Sequence, residues 1–97
     1  MTPTAPLLVV LAVTVLGTDA WQVRRTLALV PGAGVLRCVP HLQDGRVRLD
    51  VLLPAGRVDE ATDRVLACVV QGEIGAVRSW QEHLAAIAAA AHAPAQH

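Results

Sequence analysis

The chain contains one long apolar run, LLVVLAVTVL at residues 7–16, which ends at the triplet Gly17-Thr18-Asp19. The run is rich in Val and Leu, and its polar and apolar residues do not alternate, which is typical of a strand covered on both faces. A helix here would have to accommodate several Val residues and a Thr before a Gly, all of them poor helix formers. We therefore predict a central strand, β1, around which the rest of the chain folds.

The apolar run also lies near the first methionine, where secretory signals occur. The residues before it, MTPTAP, carry no Lys or Arg, and Thr18-Asp19-Ala20 is a poor cleavage context. A membrane-spanning helix needs ~20 apolar residues, which is more than the run supplies. We expect a cytoplasmic protein that does not associate with a membrane.

A helical pattern follows the run. Asp19, with Gln22 three positions later, resembles a capping box, and this predicts a helix, α1, from about Ala20 until Pro31-Gly32. Its apolar residues at helical spacing are Val23, Leu27 and Val30.

Asp44-Gly45 separates two strand-like segments, residues 35–43 (β2) and 46–53 (β3). This dipeptide is typical of a two-residue type I′ hairpin turn. Such a turn fixes the register of the strands. It predicts the pairs Gln43–Arg46, His41–Arg48, Val39–Asp50 and Arg37–Leu52 on a largely polar face, and Leu42–Val47, Pro40–Leu49, Cys38–Val51 and Leu36–Leu53 on an apolar face.

Pro40 places β2 within the sheet. A proline has no amide hydrogen, so a sheet admits it only where its nitrogen needs no partner. In the predicted register the nitrogen of Pro40 points away from β3, which makes β2 an edge strand.

The second half of the chain repeats the strand and helix pattern. Residues 58–71 predict a helix, α2, and Ile74 to about Gln81 a weaker strand, β4. The predicted buried stripe of α2 is Ala61, Val65, Cys68 and Val69. Residues 82–93 form an Ala-rich, helix-prone stretch, and we expect residues 84–91 to lie across the open sheet face or against a partner. We expect residues 1–6 and 94–97 to fray.

The order β-α-β-β-α-β is that of the ferredoxin-like unit. We predict an α+β fold with an antiparallel sheet in the order β4 β1 β3 β2, both helices on one face, and a C-terminal Ala-rich helical tail. One domain covers residues 1–97, with its core at about 7–81 and the tail at 82–97.

Composition restricts the function. Formal net charge is +0 and only 2% of residues are aromatic, whereas nucleic-acid binding favours a basic excess and aromatic stacking. Hydrophobic residues make up 54% of this short chain, so we expect a homodimer or a higher homo-oligomer.

Cys38 and Cys68 are expected to be buried, reduced thiols. The spacing of His83, His92 and His97 gives no single metal-binding face, and we expect no metal.

The chain resembles an ACT domain, most nearly the short ACT-type small subunits of acetolactate synthase. The resemblance covers roughly Leu8 to Trp80 and depends on the spacing of VTVLGTD, RRTLALVPGAGVLRC, the hairpin, VDEATDRVLACVV and GAVRSW. It implies a small non-enzymatic module that homodimerises through its sheet. Such a module binds a small metabolite, for example an amino acid, or docks on a partner enzyme to regulate it, and it needs no cofactor.

The resemblance also implies where a ligand binds. Amino-acid-binding ACT domains follow their first strand with an Asp-Arg-Pro-Gly-like turn, which Asp19 matches, and the family enters its second strand through a Gly-rich segment. A helix N-terminus at such a turn attracts carboxylates and phosphates. In the alternative interpretation Asp19 only caps the helix and Trp21 only packs. The candidate ligand-binding residues are Thr18, Asp19, Ala20, Trp21, Gly32 and Gly34.

A second functional class has the same order of elements. In dimeric α+β-barrel enzymes of the monooxygenase or cyclase type, two open sheet faces close over a pocket. The candidate catalytic residues for such an enzyme are His41, Arg48, Asp50 and Trp80. The same residues also fit a solvated or interfacial sheet face, with Trp80 and Arg78 as an interface anchor. Because few aromatic residues are present to hold a flat substrate, we favour the non-enzymatic module.

Overall fold

The structure is a computed structural model that describes residues 7–92, with side chains through residue 91. The expected fraying of residues 1–6 and 94–97 lies outside this range, as does His97. The elements, in chain order, are β1 (Leu8–Leu16), α1 (Ala20–Leu27), β2 (Gly34–His41), β3 (Arg46–Pro54), α2 (Val58–Cys68), β4 (Gly72–Ser79) and α3 (Trp80–His92). Short 3-10 turns at Gly17–Asp19 and Ala55–Arg57 lead into α1 and α2.

The fold is α+β, with a four-stranded antiparallel sheet and three helices, and it is compatible with a ferredoxin-like arrangement. The strands lie in the order β2-β3-β1-β4, which is β4-β1-β3-β2 when read from the other edge. Strand β1 pairs with both β3 and β4, so it is interior, as its unbroken hydrophobicity indicated. Strand β2 pairs only with β3 and forms an edge, which is where a sheet admits Pro40.

The hydrophobic core fills the space between one sheet face and the helices α1 and α2. Alternate residues of β1 point into it because successive side chains of a strand face opposite ways. Its buried members are Val9, Leu11, Val13, Val15, Val23, Leu27, Val30, Leu49, Val51, Leu53, Ala61 and Val65. Each fully buried Val or Leu contributes roughly 1.5–3 kcal/mol relative to exposure. The core therefore fixes which sheet face remains open.

The hairpin differs from the prediction. Its loop has four residues, Leu42–Gly45, and His41 pairs with Arg46, so the register is shifted by two positions. A type I′ turn needs positive φ at both central residues. Only Gly45 has it, at φ 70°, whereas Asp44 accepts a hydrogen bond at Oδ1 from the Arg46 amide at 3.1 Å. Because the shift is even, residues 37–41 keep their predicted faces.

A β-bulge interrupts β2 between Val35 and Arg37. Beyond it Val35 packs against the core, whereas Leu36, predicted on the apolar face, is 41% exposed. Cys38 is exposed, and its predicted burial is wrong because the edge strand lies partly beyond the cover of the helices. Cys68 is partly buried against the core, as is Val69, and both cysteines are free thiols.

Several predicted element ends are also corrected. Helix α1 ends at Leu27, before the predicted Val30, and α2 ends at Cys68 rather than at Gln71. The Asp19 side chain makes no capping hydrogen bond because its backbone already has helical dihedrals, φ −95° and ψ −11°, within the 3-10 turn. The predicted capping box at Asp19 is therefore absent.

The end of β4 and the proposed tail are revised together. Strand β4 stops at Ser79, so Trp80 and Gln81, which were predicted at the end of β4, belong to α3. The Ser79 hydroxyl accepts a hydrogen bond from the Glu82 amide at 3.0 Å, which is the geometry of an N-cap. Within residues 7–92, no helix has the length and apolar character needed to cross a bilayer.

Candidate functional site

Asp50 is a buried acidic residue on the open sheet face. It lies in the middle of β3, opposite Ala12 of β1 and Arg37 of β2, and it is 1% exposed. Even-numbered residues of β3 face away from the core because Leu49 and Val51 face into it. Burying a carboxylate costs several kcal/mol unless nearby charges compensate for its lost hydration.

Two guanidinium groups supply that compensation. Arg37 Nε lies 3.4 Å from Asp50 Oδ2, and Arg48 Nε lies 3.2 Å from Asp50 Oδ1. The second pair is close but poorly aligned, since neither Arg48 Nε nor Asp50 Oδ1 makes a hydrogen bond within the described part of the chain. Asp50 thus holds two arginines from neighbouring strands beside each other.

A third arginine approaches from the other edge strand. Arg78, in β4, lies opposite Val10 and therefore on the open face. Its Nη2 atom is 3.4 Å from Nδ1 of His83, which is 3% exposed. The rings of His83 and Trp80 stack with centroids 5.6 Å apart and planes at 23°. The first turn of α3 therefore places an imidazole against the sheet.

These groups line a pocket of about 190 Å³ between the open face and α3, which we call the arginine pocket. Four of the lining residues belong to α3: His83, Ala86, Ile87 and Ala90. Their spacing of three, one and three positions places them on one face of the helix. The complete lining is Arg37, Arg48, Asp50, Arg78, His83, Ala86, Ile87 and Ala90. Three arginines and one aspartate give these side chains a formal charge of +3 − 1 = +2. The pocket is thus suited to binding an anion.

The candidate catalytic residues are only partly brought together. Arg48 and Asp50 are in contact, and Trp80 reaches the pocket through His83. His41 lies apart at the end of the hairpin, with Nδ1 4.0 Å from Asp44 Oδ1, and it pairs with Arg46 instead of Arg48. The prediction that His41 lies beside Arg48 is wrong because the four-residue loop shifts the register.

The turn after β1 forms a separate surface. Thr18 is exposed, Asp19 and Ala20 are half-buried, and Trp21 is 69% exposed. The amide of Gly17 donates to the Gly45 carbonyl at 2.8 Å, which places the turn beside the hairpin loop. A shallow groove of about 630 Å³ runs along α1, lined by Trp21, Gln22, Arg25, Thr26, Ala28 and Leu29. Trp21 therefore borders a surface groove instead of packing in the core.

The two glycines of the candidate ligand set lie near the other end of α1. Gly32 has φ 78°, and a Cβ there would lie 3.0 Å from Pro54 Cγ. Gly34 pairs with Leu52, close to the beginning of β1. Helix α1 separates these glycines from the Thr18 to Trp21 turn by its eight residues, about 12 Å. Within one chain the six candidate residues thus form two groups.

Sequence reasoning missed three residues of the pocket: Arg37, Arg78 and His83. Strand alternation predicts that the two arginines lie on the open face, but it gives no contact between them and Asp50. The sequence predicts His83 in the Ala-rich tail, without a role. The signal that finds it is Ser79 with Glu82 three residues later, a capping-box pattern that begins a helix at Trp80 and puts His83 in its first turn.

Among the residues that the structure describes, no three His, Cys, Asp or Glu side chains lie close enough together to bind a metal ion. Comparisons of the chain with protein-family models, curated proteins and solved structures give no match. Function is therefore inferred from the side chains and their geometry.

Proposed function

We propose that this chain is a small non-enzymatic module of the ACT-like, ferredoxin-like type. In this proposal it forms a homodimer and binds a small metabolite, such as an amino acid, or docks on a partner enzyme, and thereby regulates that enzyme. It acts in the cytoplasm and uses no cofactor. The observation that carries the proposal is the arginine pocket, because it is built mainly from groups that bind and not from groups that react.

Guanidinium groups favour binding over acid–base chemistry. An arginine stays protonated in proteins, and it donates several hydrogen bonds from a planar group that matches carboxylate and phosphate. Arg37, Arg48 and Arg78 reach the pocket from three different strands. A site of this kind recognises a ligand on a rigid sheet, as a regulatory module requires.

The exposed apolar residues support the homodimer. Ten large hydrophobic side chains of the described residues are exposed: Leu7, Trp21, Leu29, Leu36, Leu42, Leu66, Val70, Val77, Leu84 and Ile87. A sheet edge is a natural place for a second copy to add its strands. Both edge strands carry an irregularity in register, but edge β2 is also blunted by Pro40, whereas edge β4 has no proline. We therefore assign the dimer contact to the β4 edge.

Size-exclusion chromatography with light scattering tests the dimer. We expect a dimer for the unchanged chain and a monomer for Val77→Asp, because a buried unpaired charge at the β4 edge opposes association. The matched control is Leu36→Asp, which places the same charge at a similarly exposed position on the β2 edge, and we expect it to stay dimeric. A monomeric unchanged chain, or loss of the dimer only in Leu36→Asp, contradicts this contact.

Thermal unfolding in the presence of amino acids tests ligand binding. A ligand at 100 times its Kd stabilises the folded state by about 2.7 kcal/mol, which raises Tm. We expect at least one amino acid to raise Tm in the unchanged chain. A smaller shift in Trp21→Ala assigns binding to the turn after β1, whereas binding in the arginine pocket leaves the shift unchanged in this variant. The same shift in both chains assigns binding elsewhere, and no shift with any amino acid removes this class of ligand.

One observation favours the α+β-barrel enzyme as a second candidate. His83 is buried in the pocket beside Arg78, and histidine is the side chain that most often serves as a general acid or base in enzymes. A monooxygenase or cyclase of this kind would depend on His83 more than on the original candidate, His41, which lies outside the pocket. Turnover that is lost in His83→Gln and kept in His41→Ala, with both variants folded, supports the enzyme.

A further inference from the structure

We propose that the arginine pocket binds a small dianion, a dicarboxylate or a phosphate, between the open sheet face and α3. The proposal rests on the proposed ligand-binding function, and it names the class of ligand and the position of the binding site. The place is distinct from the turn after β1, because no residue of that turn lines the pocket.

Charge determines the ligand class. The formal charge of +2 on the lining side chains is balanced by two negative charges on one small molecule. The nearest contacts of Arg37 and Arg48 to Asp50 are made by their Nε atoms, and a guanidinium carries four further N–H donors on its two terminal nitrogens. These donors suit paired oxygens, as in a carboxylate or phosphate.

Asp50 acts in this site as a positioning residue. It is 1% exposed and lies between Arg37 and Arg48, so it holds both guanidinium groups at the pocket wall. Its Oδ1 atom and Arg48 Nε are buried without a hydrogen-bond partner in the described chain. Buried unpaired polar atoms are costly, and a ligand that draws Arg48 into better alignment reduces this cost.

Helix α3 sets the size of the ligand. It lies over the arginines with small side chains at Ala86 and Ala90, which leave a pocket of about 190 Å³. A water molecule has a share of about 30 Å³ in the liquid, so this space corresponds to roughly six waters. A dicarboxylate of a few carbons or a phosphate fits this space.

Calorimetric titration at pH 8 tests the proposal, with inorganic phosphate, malonate and acetate as probes and sodium chloride at matched ionic strength as the blank. We expect phosphate or malonate to bind and acetate to bind at least tenfold more weakly, because it carries one charge. Phosphate binding without malonate binding assigns phosphate ligands, and the reverse assigns dicarboxylates.

Two charge variants locate the site. We expect Arg48→Gln and Arg78→Gln to weaken binding of the better dianion about tenfold or more, since each loses charge-assisted hydrogen bonds. The matched control is Arg46→Gln, two residues along β3 from Arg48 on the same face, because Arg46 contacts Glu73 at 3.7 Å and does not line the pocket. We expect this control to bind within about twofold of the unchanged chain.

A steric pair separates the pocket from the general charge of the surface. Ala86→Leu fills the pocket and keeps every arginine, so we expect it to abolish dianion binding. Ala88→Leu adds the same volume on the opposite side of α3, outside the lining, and we expect no effect. Circular dichroism checks that all variants are folded.

The proposal is overturned if no dianion binds above the chloride blank, or if Arg46→Gln and Ala88→Leu weaken binding as much as their pocket counterparts. Binding of an amino acid that depends on Trp21, with no dianion binding, removes the pocket proposal and leaves the proposed function intact. Dianion binding in the pocket of a chain that is monomeric removes the dimer and leaves the pocket proposal intact.

Discussion

Gly32 has a backbone conformation that an L side chain resists. Its φ is 78°, and a Cβ there would lie 3.0 Å from Pro54 Cγ. The left-handed region costs an L-residue roughly 1–2 kcal/mol, so we expect Gly32→Ala to lower the free energy of unfolding by at least about that amount. Urea denaturation measures this change. Gly34→Ala is the control, because a Cβ at Gly34 meets nothing within 4 Å and its φ is not positive, and equal losses in both variants would contradict the explanation.

Glu60 carries a carboxylate whose ionised form is stabilised by two arginines of α2 and the turn before it. A hydrogen bond from Arg57 at 2.8 Å is the largest cause, and it lowers the pKa of Glu60 from its usual value of 4.5. Partial desolvation opposes this shift. Arg64, at 3.4 Å, lowers the pKa further. A lowered folded-state pKa means that the stabilisation is present above the unfolded-state pKa and is lost as the pH falls through the folded-state pKa.

NMR titration of the Glu60 side chain tests this order of causes. We expect its pKa to rise toward the usual value in Arg57→Gln and to rise less in Arg64→Gln, because the Arg57 bond is shorter and is the larger cause. In Arg57→Gln, stability should also depend less on pH near and below 4.5. A larger rise in Arg64→Gln would reverse the assignment.

At the scale of elements, α3 buries little apolar surface against the sheet. His83 is its one buried residue in the described chain, and Leu84 and Ile87 are 41% and 43% exposed. In β1, by contrast, five residues are buried: Val9, Val10, Leu11, Val13 and Val15. All of them except Val10 belong to the hydrophobic core. Segments with few buried contacts open locally at low free energy, whereas core strands open only with global unfolding.

Amide hydrogen exchange measures this difference between α3 and the interior strands. We expect amides of α3 to exchange at least about tenfold faster than those of β1 and β3, and a bound dianion to slow exchange in α3 specifically. The hydrogen-bonded amides of α2 serve as the helical control, because Ala61 and Val65 anchor that helix in the core. Protection of α3 equal to that of α2 without ligand would show that the docking is tighter than its burial indicates.

The elements also show why some features were predictable from sequence. The interior position of β1 and the edge position of β2 follow from an unbroken apolar run and from the missing amide hydrogen of Pro40, which are local properties. The hairpin register depended on whether Asp44 adopts positive φ, which Asp-Gly favours but does not enforce. The bulge at Leu36 has no comparable signal in the sequence.

For the candidate site, the sequence likewise predicts which face of the sheet its residues occupy but not which residues are in contact. Strand alternation placed Arg48 and Asp50 on one face, and the even shift in register preserved that face. The partner from β2 changed, because the shift brought Arg37 opposite Asp50 in place of Val39. His83 required the correct start of α3. Tertiary proximity between β4, α3 and β3 is not encoded in any local pattern.

At the scale of the whole molecule, α1 and α2 cover one face of the sheet, and only α3 lies over the other face. The molecule is thin, with principal extents of 54 × 37 × 17 Å. Buried hydrophobic residues of the described chain number 13, while ten large hydrophobic side chains remain exposed. A small domain buries a smaller fraction of its surface than a large one, so the proposed homodimer would bury apolar surface that a single copy leaves exposed.

The proposed homodimer predicts that stability depends on protein concentration. A partner that binds only the folded state stabilises it by mass action, so Tm should rise as the concentration of the chain rises. Differential scanning calorimetry over a hundredfold range of concentration measures this effect, and Val77→Asp, which we expect to be monomeric, should show a constant Tm. Leu36→Asp should retain the concentration dependence of the unchanged chain. A constant Tm in all three chains would mean that the thin sheet is stable alone and that its exposed apolar residues serve some contact other than a second copy.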